Sequence, residues 1–380
     1  MRAGKGDLDQ TGGTAMKLKK SPGTMTSKER VLRTFHHEKA DRVPISYFAN
    51  PGIQKRVAAY LGVPQDRDSV NDALGVDFKG LMPAYTGKPL FTAPGPERHV
   101  NPLTGAVTRW VENQNGGYWD YCDFPLADAD DEVIAKWPVP DPDDFDYDGL
   151  LEQCRAYGNK AVYLGHPGIS DVMNNTGMIR GMENIYMDLL LETESVMTLL
   201  DRRMKAELAM FERALDKCGD YVEFIWTGED LGTQRAPLIS LDLFRRQIRP
   251  RHQPLIDLAG SYGKPVMIHC CGSSSWAFED FIEMGIQAVD TLQPEAADIA
   301  PSYLAEKYGS RLAFHGCIST AALAEMTPKE VEKNVAETLS VMMPYHGYCL
   351  APTHYLQDNT PVENVIAMYE TAYRLGWYEE

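Results

Sequence analysis

From residue 161 onward the sequence repeats one unit: a short apolar run, a polar turn, and a longer stretch with helical periodicity. The apolar runs fall near 161–165, 221–226, 264–270, 286–291, 311–315 and 347–351. Helical patterns fill the gaps near 169–218, 241–261, 276–284, 299–308, 327–342 and 361–375. Strands joined through helices run parallel, and a parallel sheet needs helices over its faces. The choice therefore narrows to a doubly wound sheet or a closed (β/α)8 barrel. Roughly eight strands result if the insert or the early segment contributes one more, several strands end in polar, chemically capable residues, and no Gly-x-Gly-x-x-Gly opens a helix. An α/β fold of the TIM-barrel type is expected, with its functional groups at the carboxyl ends of the strands.

The folded part is expected to begin near residue 26, where Thr26-Ser27-Lys28-Glu29 has the polar cap and early Glu of a helix start. Residues 1–25, with five glycines and no apolar periodicity, read as a disordered leader. Arg42-Val-Pro-Ile-Ser-Tyr-Phe48 reads as a first strand. Between 79 and 148 the pattern turns irregular, with a hairpin around Asn101-Pro-Leu-Thr-Gly105 and Asp/Pro clusters near Trp137-Pro-Val-Pro-Asp-Pro142. This is expected as an insert within a single barrel domain spanning 26–380.

A formal charge of −17 excludes nucleic acid and an anionic membrane surface as main partners, since both require basic patches. No run of about 18 apolar residues could span a bilayer, and the first twenty residues lack a signal-peptide core, which points to the cytoplasm. Seven cysteines in 380 residues suit free thiols better than a disulfide framework. A homodimer is compatible with such a chain.

Chemistry concentrates at Val266-Met-Ile-His-Cys-Cys-Gly272, an apolar run that breaks into His269, Cys270 and Cys271. With period-two alternation, His269 and Cys271 project to one side and Cys270 to the other. Imidazole and thiolate on one face can hold zinc, which needs a third protein ligand in a catalytic site. The competing reading is a buried thiol beside a neutral imidazole bonded to backbone. Candidates for a third ligand are His354, Cys317 and Cys349, the last inside an apolar run. Glu229 and Asp230 form a carboxylate pair after a strand, able to orient a substrate or donate a proton, or else to cap a helix. His166, Asn174, Gln234 and His315 follow strand ends and are candidate substrate contacts. Arg235, Arg245, Arg246, Arg249 and Arg251 read as a solvated, ion-paired face.

The ordered set Glu29-Arg-Val-Leu…Asp41-Arg-Val-Pro44, Glu229-Asp-Leu-Gly-Thr-Gln234, Pro265-Val-Met-Ile-His-Cys-Cys-Gly272, Phe314-His-Gly-Cys-Ile-Ser-Thr320 and Leu350-Ala-Pro-Thr-His…Thr360-Pro-Val-Glu-Asn364 resembles the uroporphyrinogen decarboxylase superfamily, and within it the cobalamin-dependent methyltransferases. The resemblance runs over about 27–376 and implies a (β/α)8 barrel. The decarboxylases carry an arginine-rich segment after the first strand, whereas Ser46-Tyr-Phe-Ala-Asn-Pro-Gly52 has no arginine. Porphyrinogen decarboxylation is therefore not expected. In the methyltransferase branch the His and Cys of a His-x-Cys-Gly motif, with a Cys shortly before a Thr-Pro-x-x-Asn segment, hold zinc. His269 and Cys271 match the first two, and the third position falls on His354, an imidazole where thiolate is usual.

The resemblance implies a zinc-assisted methyltransferase, such as an O- or N-demethylase, moving a methyl group between a small substrate and a corrinoid. No Asp-x-His-x-x-Gly motif occurs in the chain, so the corrinoid is expected on a separate protein. Glu229 and Asp230 are the expected catalytic groups, with His166, Asn174, Gln234 and His315 lining the substrate side. The alternative is a metal-independent decarboxylase of a small carboxylated substrate with Glu229 or Asp230 as its acid.

Overall fold

The computed structural model describes residues 23–113 and 116–379. Residues 1–22 of the expected leader lie outside the described residues. Seven strands form one parallel sheet in consecutive order: β1 (Phe78–Leu81), β2 (Ala161–Gly165), β3 (Phe224–Gly228), β4 (Val266–His269), β5 (Ala288–Leu292), β6 (Ala313–Ile318) and β7 (Tyr348–Pro352). Every residue of β2 to β7 is buried, as a parallel sheet sealed on both faces requires.

The sheet curls into a TIM-barrel-like arrangement, with no eighth ladder strand among the described residues. The segment expected as a first strand crosses the gap between β7 and β1 by isolated bridges, Ile45 to Leu350 and Ala49 to Leu356. Pro44 has no N–H to give a ladder; its carbonyl accepts from Leu350 N, while Ile45 O accepts from Asp77 N. The strand paired with β2 is β1, which lies at the start of the region expected as insert. Beyond it the insert carries a three-stranded antiparallel unit, His99–Val100, Val107–Asn113 and Gly116–Cys122.

A buried ionic knot ties the gap at the amino ends of the strands. Asp77, fully buried, accepts from Arg30 Nη1 (2.7 Å), Arg42 Nη1 (2.8 Å), Ile45 N (2.8 Å) and Ser27 Oγ (2.8 Å). Arg30 also grips Asp41 through Nε at 2.6 Å. The helix that delivers Arg30, Ser27–Phe35, starts with a capping box between Thr26 and Glu29.

After β2 the chain makes three helices, Met173–Arg180, Met182–Leu191 and Glu194–Cys218. Among the described residues no helix is long and apolar enough to cross a membrane. All seven cysteines are free. Four of the arginines read as a solvated face are ion-paired: Arg245 and Arg249 with Asp280, Arg246 with Asp242 and Arg251 with Asp201.

Candidate metal centre and cavity

The carboxyl ends of the strands open into a cavity of about 560 Å³, whose wall includes Phe48, Tyr163, Trp226, His269, His354 and Tyr355. Around His269 in that wall the donors of His269, Cys271 and Asp230 converge, all within 4.8 Å of one another. Cys271 Sγ lies 3.4 Å from His269 Nε2, and Asp230 Oδ1 lies 3.8 Å from the same nitrogen. For a tetrahedral zinc with ordinary bond lengths, neighbouring N, S and O donors stand roughly 3.3–3.6 Å apart. The three donors therefore fit a zinc-sized ion after small movements.

Backbone packing brings these residues together. Gly272, at φ +71°, lies so close to the 229–234 loop that a Cβ there would stand 2.2 Å from the Gly232 carbonyl oxygen. Ser273 N–H donates to Thr233 O at 2.8 Å, and Cys271 N–H donates to Asp230 Oδ1 at 2.8 Å. Asn174 Nδ2 donates to Asp230 Oδ2 at 2.9 Å, fixing the carboxylate from the other side. The third member of the cluster is thus Asp230, while His354 lies on the cavity wall outside the group.

Behind His269 stands a buried Asp290, whose Oδ2 takes His269 Nδ1–H at 2.6 Å and whose Oδ1 pairs with His315 Nδ1 at 2.5 Å. Thr291 Oγ1 reaches the same His269 nitrogen at 2.7 Å and donates to Asp290 Oδ2 at 2.9 Å. Thr291 sits at φ +67°, costly for a β-branched residue, where the β5–β6 register shifts. The arrangement fixes the tautomer and leaves Nε2 facing Cys271, as metal-bound imidazoles backed by carboxylates are held. Burial opposes charge on His269, but the hydrogen bond and charge of Asp290, joined by the charges of Asp230 and Asp171, together outweigh it and raise its pKa. Burial likewise works against the Asp290 carboxylate, yet His315 and His269 hold its pKa well below the usual range. Burial and the neighbouring Asp230 push the Cys271 thiol up, so a cation displacing its proton would meet a site already rich in negative charge.

The other expected site residues take varied positions. His166 lines the cavity; its Nδ1 accepts Gly168 N–H at 3.0 Å, which leaves Nε2 as the donor, and burial lowers its pKa. Gln234 lies exposed on its loop, outside the cavity wall. His315 is buried beneath the cavity, edge-on to Phe78, and touches the site through Asp290. Cys317 and Cys349 are buried in the barrel core, outside the donor group.

Glu229 turns away from the cavity. Its Oε2 accepts Val172 N–H (2.8 Å) and His252 Nε2 (3.1 Å), and its Oε1 accepts Met173 N–H (3.1 Å). Burial pushes its pKa up to about 8, and burial with the nearby Glu229 and Asp230 pushes Asp171 well above the usual carboxylate range. Asp171 bonds to Glu229 and accepts Asn174 N–H at 2.8 Å, so the pair keeps a proton that the unfolded chain releases above about pH 4. With more protons bound in the folded state, stability falls as pH rises from about 4 toward 8. Asp171→Asn supplies a permanent donor in the same shape. Its melting temperature is expected to decline less than wild type between pH 5 and 8, gaining at least about 3 °C at the upper end. Parallel thermal-melt profiles for the two proteins would refute this sharing of a proton.

Asp290, Thr291 and Asp171 carry much of this geometry, yet only Asp290 has a sequence signal: a charge inside the apolar run Ala288-Val-Asp-Thr-Leu292.

No curated protein matches the sequence. Solved structures sharing the fold include a methyltransferase from Methanosarcina mazei, 16% identical, aligned over 92% of this chain and 98% of that one with a TM-score of 0.63. At that identity the likeness speaks for the fold. The family model for uroporphyrinogen decarboxylase (URO-D) matches residues 170–375. That span runs from the helices after β2 through β3 to β7 and takes in the whole donor cluster with its buried carboxylate support. The match covers more than half of the sequence, and on it the chain belongs to the uroporphyrinogen decarboxylase family.

Proposed function

We propose that the protein is a methyltransferase that moves a methyl group between the oxygen or nitrogen of a small substrate and the corrinoid of a separate partner protein. The observation that carries this reading is the convergence of Cys271 Sγ, His269 Nε2 and Asp230 Oδ1 at the end of an aromatic-walled cavity, with Asp290 behind the imidazole. Bound by these three, zinc would supply Lewis acidity to the substrate heteroatom. In this reading His269 and Cys271 are two of the ligands, and Asp230, whose carboxylate lies within the donor group, is the third in place of His354. His354 and His166 line the wall on which a substrate rests, and Asn174 holds Asp230 in line. The mouth of the cavity receives the partner. Support for a methyltransferase also comes from the Methanosarcina mazei neighbour of the same fold.

A metal-independent decarboxylase would need a proton-carrying acid beside its substrate. Glu229, the group best suited by its raised pKa, spends its oxygens on Val172, Met173 and His252 and forms no part of the cavity wall.

Metal analysis tests the proposal. The purified protein, loaded with zinc and freed of excess, is expected to keep one equivalent per chain, while Cys271→Ser and His269→Ala each lose affinity by at least about tenfold. Methyl transfer to a corrinoid protein should fall with the metal. Undiminished transfer in a chelator-treated, metal-free protein would sink the reading.

A further inference from the structure

A small side chamber of about 80 Å³ opens off the main cavity, sharing Phe48, Arg67, Gly80 and Tyr163 with it. Arg67, at the start of the helix Arg67–Leu74, is the one Lys or Arg side chain in the cavity wall, and among the described residues it has no ion pair. The neighbouring acids are already engaged. Asp66 caps its own helix through Ser69 N, and Asp68 takes Lys79 Nζ at 2.6 Å together with the Tyr157 hydroxyl.

The chamber also holds polar atoms that the protein leaves unanswered. The Tyr47 hydroxyl is buried, the residue only 2% exposed, and among the described residues it has no hydrogen-bond partner. The Asn71 amide oxygen is likewise unpartnered, and the amide can turn to present its NH2 instead. In the adjoining cavity wall the Trp226 indole N–H, 4% exposed, lacks an acceptor too. Native proteins rarely bury donors without partners, so such a group facing a cavity marks where a ligand atom belongs. A guanidinium and a phenol converging on a chamber of this size suit a single planar carboxylate, which the fork of an arginine matches in geometry.

We propose that the substrate is an aromatic carboxylic acid, its acid group held in this chamber by Arg67 and Tyr47 and its ring lying between the aromatic walls of the main cavity. Phe48, Tyr163, Trp226 and Tyr355 supply those walls. Arg67 stands on the β1 side and His269 ends β4, three strands around the sheet. With neighbouring strands about 4.8 Å apart, three spacings come to about 14 Å along the curved sheet, a span that a benzene ring with a substituent at each end bridges once the reach of the Arg67 side chain is counted. Resting on the reading of the donor cluster as the methyl-transfer centre, the far substituent is the methylated heteroatom.

Calorimetric titration of 4-methoxybenzoate against its neutral isostere 4-methoxybenzamide reads the acid chamber without any turnover. Wild type is expected to prefer the acid by about tenfold or more. Arg67→Met should abolish the preference, and Tyr47→Phe should reduce it severalfold. Arg67 is exposed, so its replacement leaves the fold intact. His269→Ala should retain the preference, because the acid is held at the other end. Equal affinity for acid and amide in wild type, no binding of either, or a preference that survives Arg67→Met overturns the proposal. If the preference follows Arg67 while metal analysis finds no zinc, the methyl-transfer reading fails and the acid chamber stands.

Discussion

Replacing Asp77 with alanine is expected to cost about 3–5 kcal/mol of folding stability, the scale on which removing one partner of a buried ion pair is felt. The carboxylate is fully buried and serves Arg30, Arg42, the Ile45 amide and the Ser27 hydroxyl at once. Its loss strands two guanidiniums that are themselves 3% and 7% exposed. Arg30 keeps Asp41, but Arg42 retains no carboxylate, only the Val43 carbonyl and the face of the Tyr373 ring among the described residues. The effect is large because this knot stands where a ladder strand is missing: Ile45 meets β7 by one bridge and takes the Asp77 amide on the other side. Asp77→Asn preserves shape and some hydrogen bonds and should fall between wild type and alanine. Urea unfolding measures both, and an alanine variant within about 1 kcal/mol of wild type would show that the gap is held by packing alone. Asp77 precedes β1 at the amino end of the sheet while the donor cluster follows the carboxyl ends, so the folded fraction of the variant should bind metal as wild type does.

The sequence made much of this architecture legible because buried parallel strands are written as uninterrupted apolar runs. Ala161–Gly165 and Tyr348–Pro352 fall where those runs do, and the stretch 169–218 resolves into the helices its periodicity implies. β1 was harder to see. Phe78-Lys-Gly-Leu81 is only four residues, with its two middle positions partly exposed, so it merges with the irregular insert that follows. The segment Arg42–Phe48 has a strand's composition, but Pro44 and the needs of Asp77 leave it with bridges in place of a ladder. At the site, His269 and Cys271 are two residues apart, and local alternation suffices to put Sγ near Nε2. Asp230 joins them through the close approach of Gly232 and Gly272, a tertiary contact invisible to spacing along the chain. Counting back from Thr360 singles out His354, which shares the cavity without joining the cluster. Arg67 has no local signature at all; a cation beginning a surface helix looks like any solvated charge until the chamber behind it is seen.

Asp290→Ala is expected to weaken zinc binding by about 10–100-fold, the usual consequence of removing the group that orients a metal-bound imidazole. The carboxylate bridges two histidines from the strands on either side of its own, and its hydrogen bond and charge do most to raise the His269 pKa against the effect of burial. Without it, His269 Nδ1 keeps only Thr291 Oγ1, and His315 is left buried with no partner at Nδ1. Folding stability should fall as well, by about 3–5 kcal/mol, and the two losses separate by pH. Because the folded Asp290 carboxyl sits well below its ordinary pKa of about 4, its contribution to stability is present above that value and disappears as the solution is acidified toward the folded pKa. Wild type should therefore keep its full advantage over Asp290→Ala down to about pH 4, begin to lose it below that value, and still hold part of it at pH 3. The metal effect follows a different course, since zinc and protons compete for Cys271 and His269 and binding weakens on acidification in both proteins. Asp290→Asn sharpens the comparison: it can accept from one histidine but carries no charge, so it should recover part of the stability and little of the metal affinity. Metal affinity unchanged in both variants would mean that Thr291 and packing alone hold the His269 ring, and that the buried carboxylate serves the barrel core instead of the ion.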